Sequence, residues 1–142
     1  MASPAYNGSC LCGRVSFTAA SEPLAVLACY CVHCSTGAGG PGQVIAKLAE
    51  SDVNIVTGHD AIARCVLDDT SSGAPKEKFF CSSCGSTLWT VPAGVKGKFL
   101  MVRATLLSNW TKLQPAAEIF VKYRPAWAVP VVGALQFQEA RH

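Results

Sequence analysis

Charge is scarce in this sequence: 15% of the 142 residues are Asp, Glu, Lys or Arg, against 50% hydrophobic. That balance excludes a self-repelling disordered chain and favours a buried core. Long apolar runs are missing too. None approaches the ~20 residues that span a bilayer as a helix, so no membrane partner is expected. The opening MASPAYNGSC has no basic stretch followed by an apolar one, so no secretory signal is read there and a cytoplasmic address is the expectation. Linkers, repeats and low-complexity blocks are absent, and a chain of this size normally builds one core, so residues 1–142 are expected to form one domain. Basic clusters are absent as well: lysines and arginines are scattered, there is no basic tail, and the pI of about 8.5 is below the usual nucleic-acid footprint. No nucleic-acid partner is expected.

What is present is strand signal. RVSFTA (residues 14–19) alternates apolar and polar, which puts Val15, Phe17 and Ala19 on one face. LAVLA (24–28), QVIAKL (43–48), NIVT (54–57), IARCVL (62–67), KFFC (78–81), STLWTV (86–91), KFLMVRA (98–104) and AEIFVKY (117–123) also read as strands. Turn residues punctuate them in STGAGGPG, VTGHD, TSSGAP and PAGVKG. Many short strands with frequent turns predict an all-β domain, and the alternation predicts antiparallel sheets. SNWTKL is expected to form one helical turn at most. STGAGGPG (35–42) is too glycine-rich for a helix and lacks the Lys-Ser/Thr ending of a phosphate loop, so it is expected to be a connection, with Gly37 to Gly42 walling an apolar site.

Cysteine is the exception to the plain composition. There are eight, and seven fall in short clusters: Cys10 and Cys12; Cys29, Cys31 and Cys34; Cys81 and Cys84. In a reducing compartment such clustering points to metal rather than disulfides. The lone Cys65, mid-strand, is expected to be a packed core thiol. Residues i and i+2 of a strand point the same way, so C-x-C can chelate one ion, as can C-x-x-C across a tight turn. Zinc wants four such ligands in a structural site, and three with an open position in a catalytic one. Three arrangements follow. Cys10, Cys12, Cys81 and Cys84 could close one site, leaving Cys29, Cys31 and Cys34 open. Cys31, Cys34, Cys81 and Cys84 could form a zinc ribbon, although positions 35–80 make a gap far above the usual ~15–20 residues. Or His33 or His59 could complete the three-cysteine set. Seven thiolates with two zinc ions would bring the formal charge from +3 to about zero.

GSCLCGRVSF (8–17), CYCVHC (29–34) and FFCSSCGSTL (79–88), in this order, resemble the glutathione-dependent formaldehyde-activating enzyme family, also called GFA or CENP-V-like; PAAEIFVKYRPAW (115–127) resembles its closing segment. The resemblance implies a β-rich, Mss4-like fold organised around a structural zinc at Cys10, Cys12, Cys81 and Cys84, with little helix. It implies a catalytic zinc at Cys29, Cys31 and Cys34, hence two zinc ions per chain. The implied chemistry is that of a carbon–sulfur lyase acting on a small molecule, with glutathione or another thiol as co-substrate. The family's usual histidine and its basic or glutamine residue flanking the second motif are replaced here by Tyr30 and Ser35, and the loop that follows carries no charge. Glutathione's two carboxylates would find no cation there, which points to a less charged substrate.

The proton that such chemistry moves is assigned to His33, inside the motif. Tyr30 should point away from the metal and pack. His59 and Asp60 are expected at the surface. Trp89, Trp110 and Trp127 are expected in the core, with Trp127 the one placed to approach substrate. Two other functions fit the same residues: another zinc-assisted step on an oxygenated metabolite, and a zinc-stabilised binding module.

Overall fold

The structure is a computed structural model that describes residues 6–140. Eleven strands form two sheets among these residues. A three-stranded sheet has the order β1 (Tyr6–Ser9), β2 (Ser16–Ala19), β5 (Val53–Thr57). An eight-stranded sheet runs β11 (Leu135–Gln136), β10 (Ala117–Ile119), β3 (Ala25–Cys29), β4 (Gln43–Ala49), β9 (Phe99–Arg103), β8 (Thr87–Pro92), β7 (Lys76–Cys81), β6 (Ile62–Leu67). The expected β-rich class is what the chain adopts. The expectation of purely antiparallel sheets is corrected, because β10 pairs in parallel with both β3 and β11.

Strand parity divides the large sheet into two faces. Ala46 and Leu48 of β4, Leu100 and Val102 of β9, and Trp89 and Val91 of β8 join Val15, Phe17 and Ala19 in the main core. There the Phe17 ring meets Trp89 edge-on, with centroids 5.7 Å apart at 90°, a geometry that aromatic quadrupoles favour. Gly8 lies across from Phe17 in the small sheet. A Cβ there would sit 2.2 Å from the Phe17 ring, so only glycine fits. The alternate residues, Leu27 of β3, Ile45 of β4 and Met101 of β9, project to the opposite face, where they gather around Cys29 and Cys34 in a second apolar cluster.

Several elements differ from the sequence reading. Val32–Ala38 is an α-helix, α1, covering half of the glycine-rich stretch. Its ends explain why it forms: Cys31 caps the N-terminus, its Sγ accepting the Cys34 N–H, and Gly39 closes the other end in the left-handed conformation at φ 78°. The strand expected over 117–123 stops at Ile119. Phe120 turns left-handed and Val121–Tyr123 form a 3-10 turn. Cys65 is exposed rather than packed, since β6 is the outer strand of the sheet. Trp89 is buried as expected, but Trp110 and Trp127 are exposed. Among the described residues no helix is long and apolar enough to cross a membrane.

Candidate metal centres and the pocket beside one of them

Cys10 follows β1 and Cys12 sits in the turn leading to β2; Cys81 ends β7 and Cys84 sits in the turn leading to β8. The two turns are built alike. Gly13 N–H donates to the Cys10 carbonyl and Gly85 N–H to the Cys81 carbonyl, both glycines at positive φ. Backbone N–H groups also point at sulfur: Val15 N–H donates to Cys10 Sγ at 3.3 Å and Ser83 N–H to Cys81 Sγ at 3.4 Å. Such donors favour the thiolate. The backbone N–H of Cys84, then that of Ser83, hold the Cys81 thiol below its ordinary pKa, and the Ser86 hydroxyl draws Cys84 down to about 5.

The fold brings these two turns together from opposite halves of the chain. Arg14 Nη1 donates to Ser83 Oγ at 2.7 Å, and Leu11 N–H to Ser86 Oγ at 3.2 Å. All four sulfurs lie within 4.8 Å of one another, with Cys10–Cys12 at 3.6 Å and Cys12–Cys81 at 3.8 Å. Sulfurs ~2.3 Å from a common tetrahedral zinc sit about 3.8 Å apart, so this donor set fits that metal.

The second cluster is Cys29, Cys31 and Cys34, whose sulfurs also lie within 4.8 Å of one another. Cys29 ends β3, Cys31 is the cap of α1, and Cys34 lies in its first turn. Hydrogen bonding from Cys29 and then Cys34 holds the Cys31 thiol down at about 2, while the same contact with Cys31 pushes Cys29 up. Neither histidine completes this set among the described residues. His33 Nε2 pairs with Asp69 Oδ1 at 2.9 Å, and His59 lies exposed at the other side of the sheet, beside Trp89 and Glu77. The ribbon grouping is not the one the fold brings together either.

Two buried charged residues frame the three cysteines. Arg103, 4% exposed, directs Nη2 to Cys34 Sγ at 3.7 Å and Nη1 to the Met101 carbonyl at 3.2 Å. Its positive charge works against the rise in the Cys34 pKa. Glu118, fully buried, accepts from Tyr30 OH at 3.1 Å, Arg124 Nη2 at 3.1 Å, Val131 N–H at 3.0 Å and Gln136 Nε2 at 2.7 Å. Tyr30 thus turns away from the sulfurs, as expected, with Arg124 over its ring and Gly42 against its edge. Sequence reasoning passed over both Arg103 and Glu118. Parity within KFLMVRA and AEIF assigns each a face, but burial depends on strands distant in sequence.

A cavity of about 440 Å³ opens on the three-cysteine cluster. Leu27, Ile45, Met101, Ile119 and Phe120 form its apolar floor, and His33, Asp69 and Lys76 lie at its sides. Residues 69–72, Ala74 and residues 92–94 wall it; the expected wall of Gly37 to Gly42 is corrected, since none of those residues lines it and Gly37 and Ala38 line a different pocket. Trp127, expected near substrate, does not line it. A second cavity of about 470 Å³ lies on the other face of the large sheet and contains none of the cysteines.

Known proteins share this fold and parts of this sequence. A crystal structure of a Rhodobacter sphaeroides protein superimposes with a TM-score of 0.58, covering 92% of this chain and 98% of its own, at 18% identity. That likeness concerns the fold alone. A Halomonas elongata protein, named provisionally as a glutathione-dependent formaldehyde-activating enzyme, is 40% identical over 86 residues, spanning 58% of this chain and 54% of that protein. The match therefore spans about half the length of this curated relative. The family model described as glutathione-dependent formaldehyde-activating enzyme matches residues 5–123, which include all seven clustered cysteines, and the chain belongs to that family.

Proposed function

We propose that this chain is a zinc-dependent enzyme of the carbon–sulfur lyase type, which joins a thiol to an aldehyde or separates the two. One observation carries the reading: four sulfurs face one another between two turns, whereas three sulfurs line a cavity large enough for a small molecule. On this reading Cys10, Cys12, Cys81 and Cys84 hold a structural zinc. Cys29, Cys31 and Cys34 hold a second, with one ligand position left for substrate. Bound there, zinc would favour ionisation of a substrate thiol and keep its sulfur nucleophilic.

The chain's own residues supply the rest. In the addition, sulfur bonds to the carbonyl carbon, the carbon–oxygen π bond opens, and the thiol proton ends on oxygen. His33 lines the cavity, its side chain 17% exposed, and is the group we assign to carry that proton. Asp69 accepts from His33 Nε2, which leaves Nδ1 as the nitrogen that exchanges it. Arg103, charged and buried behind Cys34, offsets the negative charge of three thiolates. The apolar floor excludes water from an adduct that water would otherwise help to break. We place the chain, as one zinc domain, in the reducing cytoplasm, where its eight cysteines stay out of disulfides.

Metal analysis with ligand assignment tests this. Two zinc ions per chain are expected, one with four protein sulfurs and one with three plus an exchangeable ligand, by elemental analysis and X-ray absorption. A single zinc, or two centres closed entirely by protein, would overturn the catalytic assignment.

A further inference from the structure

The cavity's lining is lopsided. Its floor comes from three neighbouring strands of the large sheet together with Ile119 and Phe120, and all of it is apolar. Apart from the cysteines, the titratable lining groups are His33, Asp69, Lys76 and Tyr123. His33 and Asp69 pair with each other, and Lys76 is the remaining lining cation, its charge reaching Asp69 and Cys31 without a contact pair to either. It appears in no ion pair among the described residues, whereas its neighbour on β7, Glu77, pairs on the opposite face with Arg64 and with Lys96 at 3.1 Å. Arg103 does not line the cavity; its guanidinium lies behind Cys34.

Phe120 adds an independent observation. Among the described residues it is the one non-glycine at positive φ, with φ 55° and ψ 38°. Side chains larger than glycine, Asn or Asp avoid that conformation. Here a phenyl ring occupies it and lines both the second apolar cluster and the cavity. A turn of this shape built for its backbone alone would suit glycine better. Strain retained at a cavity wall is best explained by what the side chain touches.

We propose that the site takes a largely apolar thiol bearing at most one carboxylate, its chain or ring on the floor of Ile45, Met101, Ile119 and Phe120 and its carboxylate at Lys76. The proposal rests on the lyase reading above. Glutathione is a poor match for this lining: it brings two carboxylates, an ammonium and two peptide groups, where one lysine and an apolar floor await. Polar groups buried there without partners weaken binding, whereas each methylene laid on the floor strengthens it. The same lining suits the adduct such a thiol forms with a small aldehyde, since the adduct adds one hydroxyl near the cysteines and leaves the rest of the molecule unchanged.

The full-length chain loaded with cobalt in place of zinc provides the test, because cobalt–thiolate absorption reports a thiol at the metal. The probes are 3-mercaptopropionate, 6-mercaptohexanoate, 8-mercaptooctanoate, the neutral 6-mercaptohexanol, and glutathione. Affinity should rise about three- to fourfold per buried methylene along the acid series, with glutathione at least tenfold weaker than the eight-carbon acid. Lys76→Gln should weaken 6-mercaptohexanoate about tenfold and leave 6-mercaptohexanol unchanged. Phe120→Gly, which relieves the backbone, should flatten the length dependence while sparing the shortest acid; a merely structural role would weaken all probes alike. A flat series, or glutathione binding as tightly as the longest acid, overturns the proposal and leaves the thiol-binding reading standing. If no thiol changes the cobalt spectrum, the lyase reading falls and this proposal with it.

Discussion

The two cysteine clusters use the same ligand atom in opposite structural settings. The four-cysteine cluster joins two turns, residues 10–15 and 81–86, whose tips are exposed while Cys10, Val15 and Cys81 are buried, and whose side-chain ties are the Arg14–Ser83 and Leu11–Ser86 hydrogen bonds. The three-cysteine cluster sits at the end of β3, an interior strand paired with β4 on one side and β10 on the other. The Cys31 cap and the Tyr30–Glu118 bond fix it further. On the proposed reading, an ion held by the first cluster would tie the two turns together at their sulfurs. The second is held by the fold and can spare a ligand position. Under that reading the first ion would link two turns that the core already brings near, while the second would face a cavity.

The largest expected effect follows from that contrast. A structural zinc contributes ~10–16 kcal/mol of apparent folding free energy, as much as a domain's whole margin of stability of about 5–15 kcal/mol. Cys81→Ser should therefore leave the chain unfolded, or folded only at low temperature, by thermal melting and amide NMR. Cys31→Ser should keep the melting transition within a few degrees, lose one zinc per chain, and abolish carbon–sulfur chemistry. If both variants unfold alike, the two clusters do not differ as argued.

Glu118 tests what frames the second cluster. Its carboxylate is fully buried and gathers Tyr30, Arg124, Gln136 and the Val131 N–H. Removing one partner of a buried pair leaves the other charge uncompensated, at a cost of ~3–5 kcal/mol. Glu118→Ala should lose about that much in denaturant titration. The four-cysteine zinc should remain bound, while hydrogen exchange rises in β10, β11 and the Cys29–Cys34 segment.

Arg103 comes next in size. Groups that orient and balance a metal's ligands typically change its affinity 10–100-fold. Arg103→Met should weaken zinc at the three-cysteine centre by such a factor and leave the other centre unchanged, as read by stepwise release to a chelator. Arg103→Lys should recover part of the loss. Equal weakening at both centres would show that Arg103 acts through the fold rather than through Cys34.

Much of this was legible before the fold was known. Alternation in RVSFTA, and the strand-like runs QVIAKL and STLWTV, marked strands that exist, and the C-x-C and C-x-x-C spacings marked clusters that the fold brings together. What failed to show has physical reasons. Helix α1 was hidden because Gly37 lies inside it and its cap is a cysteine, an unusual N-cap residue. The parallel pairing of β10 leaves no trace in a three-residue strand. Cys65 sits on an outer strand, where a mid-strand position does not mean burial. Arg103 and Glu118 went unremarked in the sequence because each is covered by residues remote in sequence.

The smallest expected effect concerns the His33–Asp69 pair, and it separates chemistry from stability. Asp69 is 80% exposed, and its bond to His33 holds its carboxyl below the ordinary value of 3.8. A depressed carboxyl pKa means that any stabilising contribution is present above the unfolded value and fades only as pH falls through the folded one. Between pH 6 and 8 the pair is therefore unchanged on the Asp69 side, and exposed pairs contribute little to folding in any case. Asp69→Asn should leave the melting temperature at pH 7 unmoved within error. If His33 carries the substrate proton, losing the carboxylate that orients its ring through Nε2 should lower the rate of carbon–sulfur chemistry about tenfold while the fold is unchanged. An unchanged rate in the variant would place the proton transfer elsewhere, and the three-cysteine centre would then work with solvent as its acid and base.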